Sequence, residues 1–222
     1  ILADVWPDHP SGWLDVWGDA DFAGTWGRQL DVADAVRDLG MTATPTLAYW
    51  ESQWRMRAEI GLPLDAVVVG HMARPHPMKN HAGFLRAAIR VAAQNDTMHC
   101  LLVGRGVERW NAELSQLIPD DLQTRFHLIG ERDDIPDVMR TLDVLCQSSS
   151  WGDASANVLG EAMASGVPCV TTDVGDSADV VAETGLVVPV RDEDALVGAL
   201  QQLVSMPATQ RRQLGESARQ RV

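Results

Sequence analysis

Two acids and two cations carry the chemistry that this chain could perform. Asp153 and Glu161 stand in the run SSSWGDASANVLGEAMASGVPCVTTDVGDS, residues 148–177. That run reads as a loop, a helix, a buried strand (VPCVT) and a Gly-containing turn. Asp153 falls in the small, polar segment that opens the predicted helix, and Glu161 falls further in, among Val158, Leu159, Ala162 and Met163. A helix N-terminus presents free N–H groups and a partial positive charge, which suits an anion. A carboxylate just beyond it can hold a sugar diol by two hydrogen bonds, as the ribose-binding acid does in dinucleotide folds. Diphosphate on the amides and hydroxyls on the carboxylates would together describe a nucleotide-sugar. The plainer alternative is a helix-capping Asp and a solvent-facing Glu.

The cations are Arg74 and Lys79. Lys79 is the only lysine in the chain, beside seventeen arginines. It stands in VVVGHMARPHPMKNH, where AVVVGHMA (66–73) reads as a buried parallel strand and NHAGFLRAAIRVAA (80–93) as a helix with an apolar stripe. Arg74 and Lys79 therefore lie on a strand-to-helix connection, where open α/β sheets place their ligands. Arginine offers phosphate a forked donor and lysine a point charge. Two solvated loop cations are the plainer alternative.

The elements that must position these groups follow a regular rhythm. HCLLVGRG (99–106) reads as strand and Gly turn, ERWNAELSQLI (108–118) as a helix, RFHLIG (125–130) as a short strand and DDIPDVMRTL (133–142) as a helix. DVLCQS (143–148) is another strand, leading into the acid-bearing loop, and LVVPV (186–190) ends the strand set. DEDALVGALQQLVSM (192–206) and the segment after Pro207 read as the last two helices. Strands alternating with helices predict an α/β fold with a doubly wound, Rossmann-like parallel sheet of six or seven strands. Gly104 and Gly106 form a GxG after a strand, which fits a plain turn as well as a ligand loop.

Asn157, Glu161-Ala162-Met163-Ala164, Gly166, Pro168 and Val170 fall in step with the donor-site signature of retaining glycosyltransferases of family 4, and the segment resembles it. Arg74, followed five residues later by Lys79, resembles that family's diphosphate-binding pair. The chain departs from the pattern at Asp153, where Glu is usual, and at Ala154-Ser155-Ala156, which replace a loop with an aromatic residue and Pro. The resemblance covers 55–222 and implies one half of a GT-B fold, the C-terminal donor-binding domain. It implies that Arg74 and Lys79 bind the donor diphosphate and steady the leaving group, that Glu161 binds ribose and that Asp153 and Asn157 serve the donor site. The turn at Gly104 and Gly106 and the region of Ile129 would lie around the nucleotide, and Gly175-Asp176-Ser177 would close over the sugar or form a bare turn. No metal is expected, because side-chain cations and helix amides do its work. The implied reaction is retaining transfer of a hexosyl group from a nucleotide-diphosphate sugar to an acceptor that the sequence leaves unknown. Alternatives on the same fold are a nucleotide-sugar isomerase and a non-enzymatic nucleotide-binding module.

His71, His76 and His81 share the Lys79 loop, but their spacing, broken by Pro75 and Pro77, does not fit a zinc pattern. His71 reads as a core or cleft residue. Residues 1–54 differ from the rest, with six of the eight tryptophans and nine acids against two arginines. Apart from QLDVADAVRDLG (29–40), a candidate helix, they show no lasting periodicity. They read as an atypical extension, either an aromatic contact surface or non-native, frame-shifted sequence. The chain starts at Ile1 and stops inside a predicted helix at Val222, and so reads as a piece cut at both ends, inactive in transfer by itself.

The net charge of −13 offers no basic stripe for nucleic acid, so phosphate binding must be local. Cys100, Cys146 and Cys169 all fall on predicted core strands, which reads as reduced thiols of a cytoplasmic protein. No apolar run is long enough to span a bilayer, and membrane contact is expected only through a missing N-terminal domain.

Overall fold

The computed structural model describes residues 53–152 and 157–222. The expectations for the Trp-rich residues 1–52, including the helix at 29–40, and for Asp153 and Ala154-Ser155-Ala156 therefore fall outside the described residues. The chain divides into two compact units, one ending at Asp65 and one running Ala66–Val222. In the first unit, helix α1 (53–60) stops at Gly61, whose φ of 79° is left-handed. Arg57 donates from its guanidinium to the carbonyl of Leu64 at 3.0 Å.

The second unit is built on six parallel strands: β1 (Val67–Met72), β2 (Met98–Val103), β3 (Phe126–Leu128), β4 (Val144–Gln147), β5 (Cys169–Thr172) and β6 (Leu186–Val188). Their spatial order is β3-β2-β1-β4-β5-β6. The four central strands are largely apolar and almost wholly buried, as expected for a parallel sheet covered on both faces. Between them run helices α2 (His81–Ala92), α3 (Ala112–Ser115), α4 (Ile135–Met139), α5 (Asn157–Ala164) and α6 (Ser177–Val181), and after β6 come α7 (Glu193–Val204) and α8 (Ala208–Arg221).

Alternation along the strands divides the core. Val69, Cys100, Leu102, Cys146 and Val170 join Phe84, Leu85 and Ala88 of α2 and Leu196, Leu200 and Leu203 of α7 in one cluster. Helices α2 and α7 are also tied at the surface, where Arg86 pairs with Glu193 at 2.7 Å and Arg90 with Asp194 at 2.8 Å. Gly70 belongs to the alternate set, and a Cβ there would stand 2.3 Å from Leu142, so only glycine lets the α4–β4 connection close on β1. Helix α5 packs against β4 and β5, and α8 packs on α5. That last contact is closest where Gly215 meets the Gly166 carbonyl, 1.9 Å from a hypothetical Cβ. Asp143 anchors the opposite end of the sheet, accepting from the Val68 N–H at 2.9 Å and from Arg211 at 3.3 Å.

The structure corrects the sequence reading in its details. The helix expected over 108–118 shrinks to α3. Glu108 forms an antiparallel bridge with Ile129 and accepts from the Gly106 N–H at 3.2 Å, which holds that segment out of helix. Asn111 then starts the helix, its side chain accepting from the N–H groups of Glu113 and Leu114. The helix expected over 133–142 shortens to α4, and β6 stops before Pro189. Helix α6 follows the turn at 175–177, in a segment to which the sequence reading assigned no element; one and a half turns are too few for periodicity to reveal.

Candidate functional site

Strand β1 lies between β2 and β4, so connections from β1 and β4 diverge to opposite sides of the sheet. A crevice opens at such a point beyond the carboxyl ends of the strands, and ligands of open α/β sheets bind there. Arg74 and Lys79 follow the end of β1, and the loop leading to Glu161 follows the end of β4.

The β1 connection has little freedom. The Ala73 N–H donates to Val103 at 2.9 Å, extending the ladder by one residue. A 3-10 turn spans Pro77–Lys79, and the His76 ring accepts from the Met78 N–H at 3.2 Å to cap it. Asn80 takes a left-handed conformation, φ 54°, and its side chain accepts from the Gly83 N–H at 3.2 Å to start α2. A Cβ at Gly83 would lie 2.4 Å from that Asn80 side chain, so the cap itself requires the glycine. Arg74 is exposed and makes no ion pair or side-chain hydrogen bond among the described residues; Lys79 is half-buried.

The β4 connection is bonded directly to this loop. The buried Ser148 hydroxyl donates to the Lys79 carbonyl at 3.0 Å, and the Asn80 carbonyl lies at 3.3 Å. The Ser150 N–H donates to the Met78 carbonyl at 2.7 Å. Beyond the undescribed residues 153–156, α5 buries Leu159, Ala162 and Met163 and leaves Asn157 and Glu161 exposed, one turn apart. The Glu161 carboxylate has no partner among the described residues. The structure thus joins the loop of Arg74 and Lys79 to the loop before Asn157 and Glu161. It describes nothing of Asp153.

The glycine turn after β2 packs on the same place. Gly104 has φ 149°, and a Cβ there would stand 2.4 Å from the Ala73 carbonyl oxygen and 2.9 Å from the Arg74 nitrogen. At Gly106, φ 89°, the nearest atoms are those of Pro75, at 3.3 Å. Gly104 is therefore explained by its approach to the β1 loop, and Gly106 by its left-handed backbone. Ile129 is half-buried, and its N–H donates to the Leu102 carbonyl at 3.2 Å.

Sequence reasoning gave no role to three groups here: Ser148, His81 and Gln147. The His81 Nε2–H donates to the Ala73 carbonyl at 3.0 Å, and the His71 Nδ1–H donates to the Cys146 carbonyl at 2.9 Å. The two rings meet edge to face at 4.6 Å, and His71 stacks on Phe84. His71 Nε2 and His81 Nδ1 are buried without a hydrogen-bond partner among the described residues. Burial, with the neighbouring His81 second, drives the His71 pKa down to about 3; burial also lowers that of His81. Both rings are neutral at pH 7. Gln147 accepts from the Thr171 hydroxyl and, at 3.3 Å, from Ser177. Asp176, at the turn after β5, has one buried carboxylate oxygen without a partner. The described residues contain no cluster of three or more His, Cys, Asp or Glu able to hold a metal ion.

The family model described as glycosyl transferases group 1 matches residues 64–206. The chain belongs to this family. A D-inositol 3-phosphate glycosyltransferase of Kribbella flavida is 30% identical over 73% of this chain and 41% of its own length. The putative glycosyltransferase EpsF of Bacillus subtilis is 33% identical over 53% of this chain and 30% of its own. The Anabaena protein HepE, solved with UDP and glucose, superposes with a TM-score of 0.67 at 24% identity, over 77% of this chain and 46% of that one. The chain spans less than half the length of these relatives. Its second unit has the fold of the C-terminal half of a GT-B glycosyltransferase.

Proposed function

We propose that this chain supplies the donor-binding half of a retaining glycosyltransferase that moves a hexosyl group from a nucleotide-diphosphate sugar. One observation carries the reading. The only lysine of the chain and the exposed Arg74, without a side-chain partner among the described residues, share a loop at the switch point of the sheet, and Ser148 bonds that loop to the one leading to Glu161. In this reading Arg74 and Lys79 hold the diphosphate. When the bond between the anomeric carbon and the diphosphate oxygen breaks, they take up the negative charge that develops on the leaving group, commonly the largest catalytic contribution. Glu161 accepts hydrogen bonds from the ribose diol, and Asp153 and Asn157 serve the sugar side. Gly104, Gly106 and Ile129 shape the wall beside the nucleotide through main chain.

No metal takes part in this reading, since two cations stand where a divalent ion would otherwise neutralise phosphate. The acceptor belongs to the other half of the fold. Three free, buried cysteines suit a reducing compartment, and the reading places the enzyme in the cytoplasm. Among the described residues no helix is long and apolar enough to cross a membrane, and membrane contact is assigned to the acceptor half.

Calorimetric titration with UDP, GDP and ADP, each beside its nucleoside, tests the proposal. One of the diphosphates should bind more tightly than its nucleoside, without added metal and unaffected by EDTA. Equal affinity for diphosphate and nucleoside across all three pairs would overturn it.

A further inference from the structure

We infer that His81 is a positioning residue for the phosphate-binding loop, acting through the peptide that joins Ala73 to Arg74. The inference rests on the functional reading above and assigns the imidazole a part in it. His81 opens α2, directly after Lys79 and Asn80, and its Nε2–H reaches back eight residues to the Ala73 carbonyl. This hydrogen bond closes the connection into a strap that contains both Arg74 and Lys79. The accepting carbonyl belongs to the same planar peptide as the Arg74 N–H, so fixing one fixes the other. Gly104 presses on that peptide too, with room for a hydrogen but not for a Cβ. The plane that launches Arg74 is thus held between an imidazole and a glycine.

The ring that does this is itself fixed. His81 is buried, at 5% exposure, and meets the edge of His71, which is tied to β4 through the Cys146 carbonyl and stacked on Phe84. A carbonyl partner requires Nε2 to carry the hydrogen, and burial keeps the ring neutral beside Lys79. A neutral donor is what the site needs here. A lysine or arginine in its place would bring a third charge into a buried position, and a phenyl ring would fill the space while leaving the Ala73 carbonyl unpaired. The geometry of His81 therefore serves two cations through the main chain that carries them.

Three variants of the full chain test the role: His81→Phe, His81→Asn and His81→Gln. The glutamine amide reaches the position of Nε2, whereas the asparagine amide stops near that of Nδ1. The probe is whichever of UDP, GDP or ADP the unaltered chain binds, with its nucleoside as the control. His81→Phe and His81→Asn should weaken diphosphate binding by about tenfold, the scale of one hydrogen bond, with nucleoside affinity unchanged. His81→Gln should recover most of the loss. Parallel loss of diphosphate and nucleoside would mean a merely structural histidine, and unchanged diphosphate affinity in the folded His81→Asn variant would equally overturn the positioning role. An unaltered chain that binds no nucleoside diphosphate overturns the functional reading, and the role of His81 with it.

Discussion

The Ser148 hydroxyl donates to the main-chain carbonyl of Lys79 at 3.0 Å, across 69 residues of sequence. The loops after β1 and β4 are consequently one bonded unit at the switch point of the sheet, and what disturbs one reaches the other.

Ser148→Ala should show this coupling. The hydroxyl is buried, and its loss removes the donor to the Lys79 carbonyl, whereas the Asn80 carbonyl still accepts from the Phe84 N–H at 3.0 Å. A stability loss of about 1–2 kcal/mol is expected by urea denaturation. Diphosphate affinity should fall as well, while nucleoside affinity holds. A stable variant with unaltered diphosphate binding would show that the two loops act independently.

Lys79→Ala removes a charge-assisted contact, typically about 1.5–3 kcal/mol, or on the order of ten- to a hundred-fold in diphosphate affinity. Nucleoside affinity should not change, because a nucleoside has no phosphate to lose. Glu161→Ala should weaken both ligands, since the ribose is common to them. Equal weakening of both ligands by Lys79→Ala would remove the phosphate assignment.

Gly104→Ala should be costly for two independent reasons. Its φ of 149° disfavours any side chain, and the new Cβ would stand 2.4 Å from the Ala73 carbonyl oxygen. A loss of about 2–4 kcal/mol is expected, the range for forced steric overlap in a packed region. Thermal melting measures it. A melting temperature equal to that of the unaltered chain would show that the Gly104 turn can retreat from β1.

Acid should loosen the fold before the carboxylates titrate. The His71 pKa is about 3 in the folded chain against 6.5 as the ordinary value, so the unfolded chain binds the proton more readily. The stability that neutral His71 contributes is complete above pH 6.5 and is lost as pH falls from 6.5 towards 3. The slope is about 1.4 kcal/mol per pH unit for each such group, and His81, lowered in the same direction, adds to it. Urea midpoints between pH 6.5 and pH 5 check this. His71→Asn, which keeps a donor for the Cys146 carbonyl without the titration, should flatten the slope.

The sheet was legible in the sequence because its strands are continuous apolar runs that nothing else explains. The helix of Glu161 was legible because Leu159, Ala162 and Met163 leave one polar face. The helix expected over 108–118 was not, because a contact from Ile129, far along the chain, holds Glu108 in a bridge. Ser148 and His81 escaped for a related reason. Each bonds a main-chain carbonyl, and a carbonyl leaves no mark in the sequence of its partner. Gly104 was visible as a residue, but the reason for it was visible only once Ala73 was seen to lie against it.

The half-buried Lys79 side chain, on a backbone pinned by Ser148, has one more consequence. The chain has no other lysine, so an amine-acylating reagent finds a single side-chain address. In the proposed reading, a diphosphate held by Lys79 would shield that one nitrogen from the reagent. The site would then carry its own reporter, and mass spectrometry of unaltered protein would read occupancy without a dye, a tag or an introduced residue.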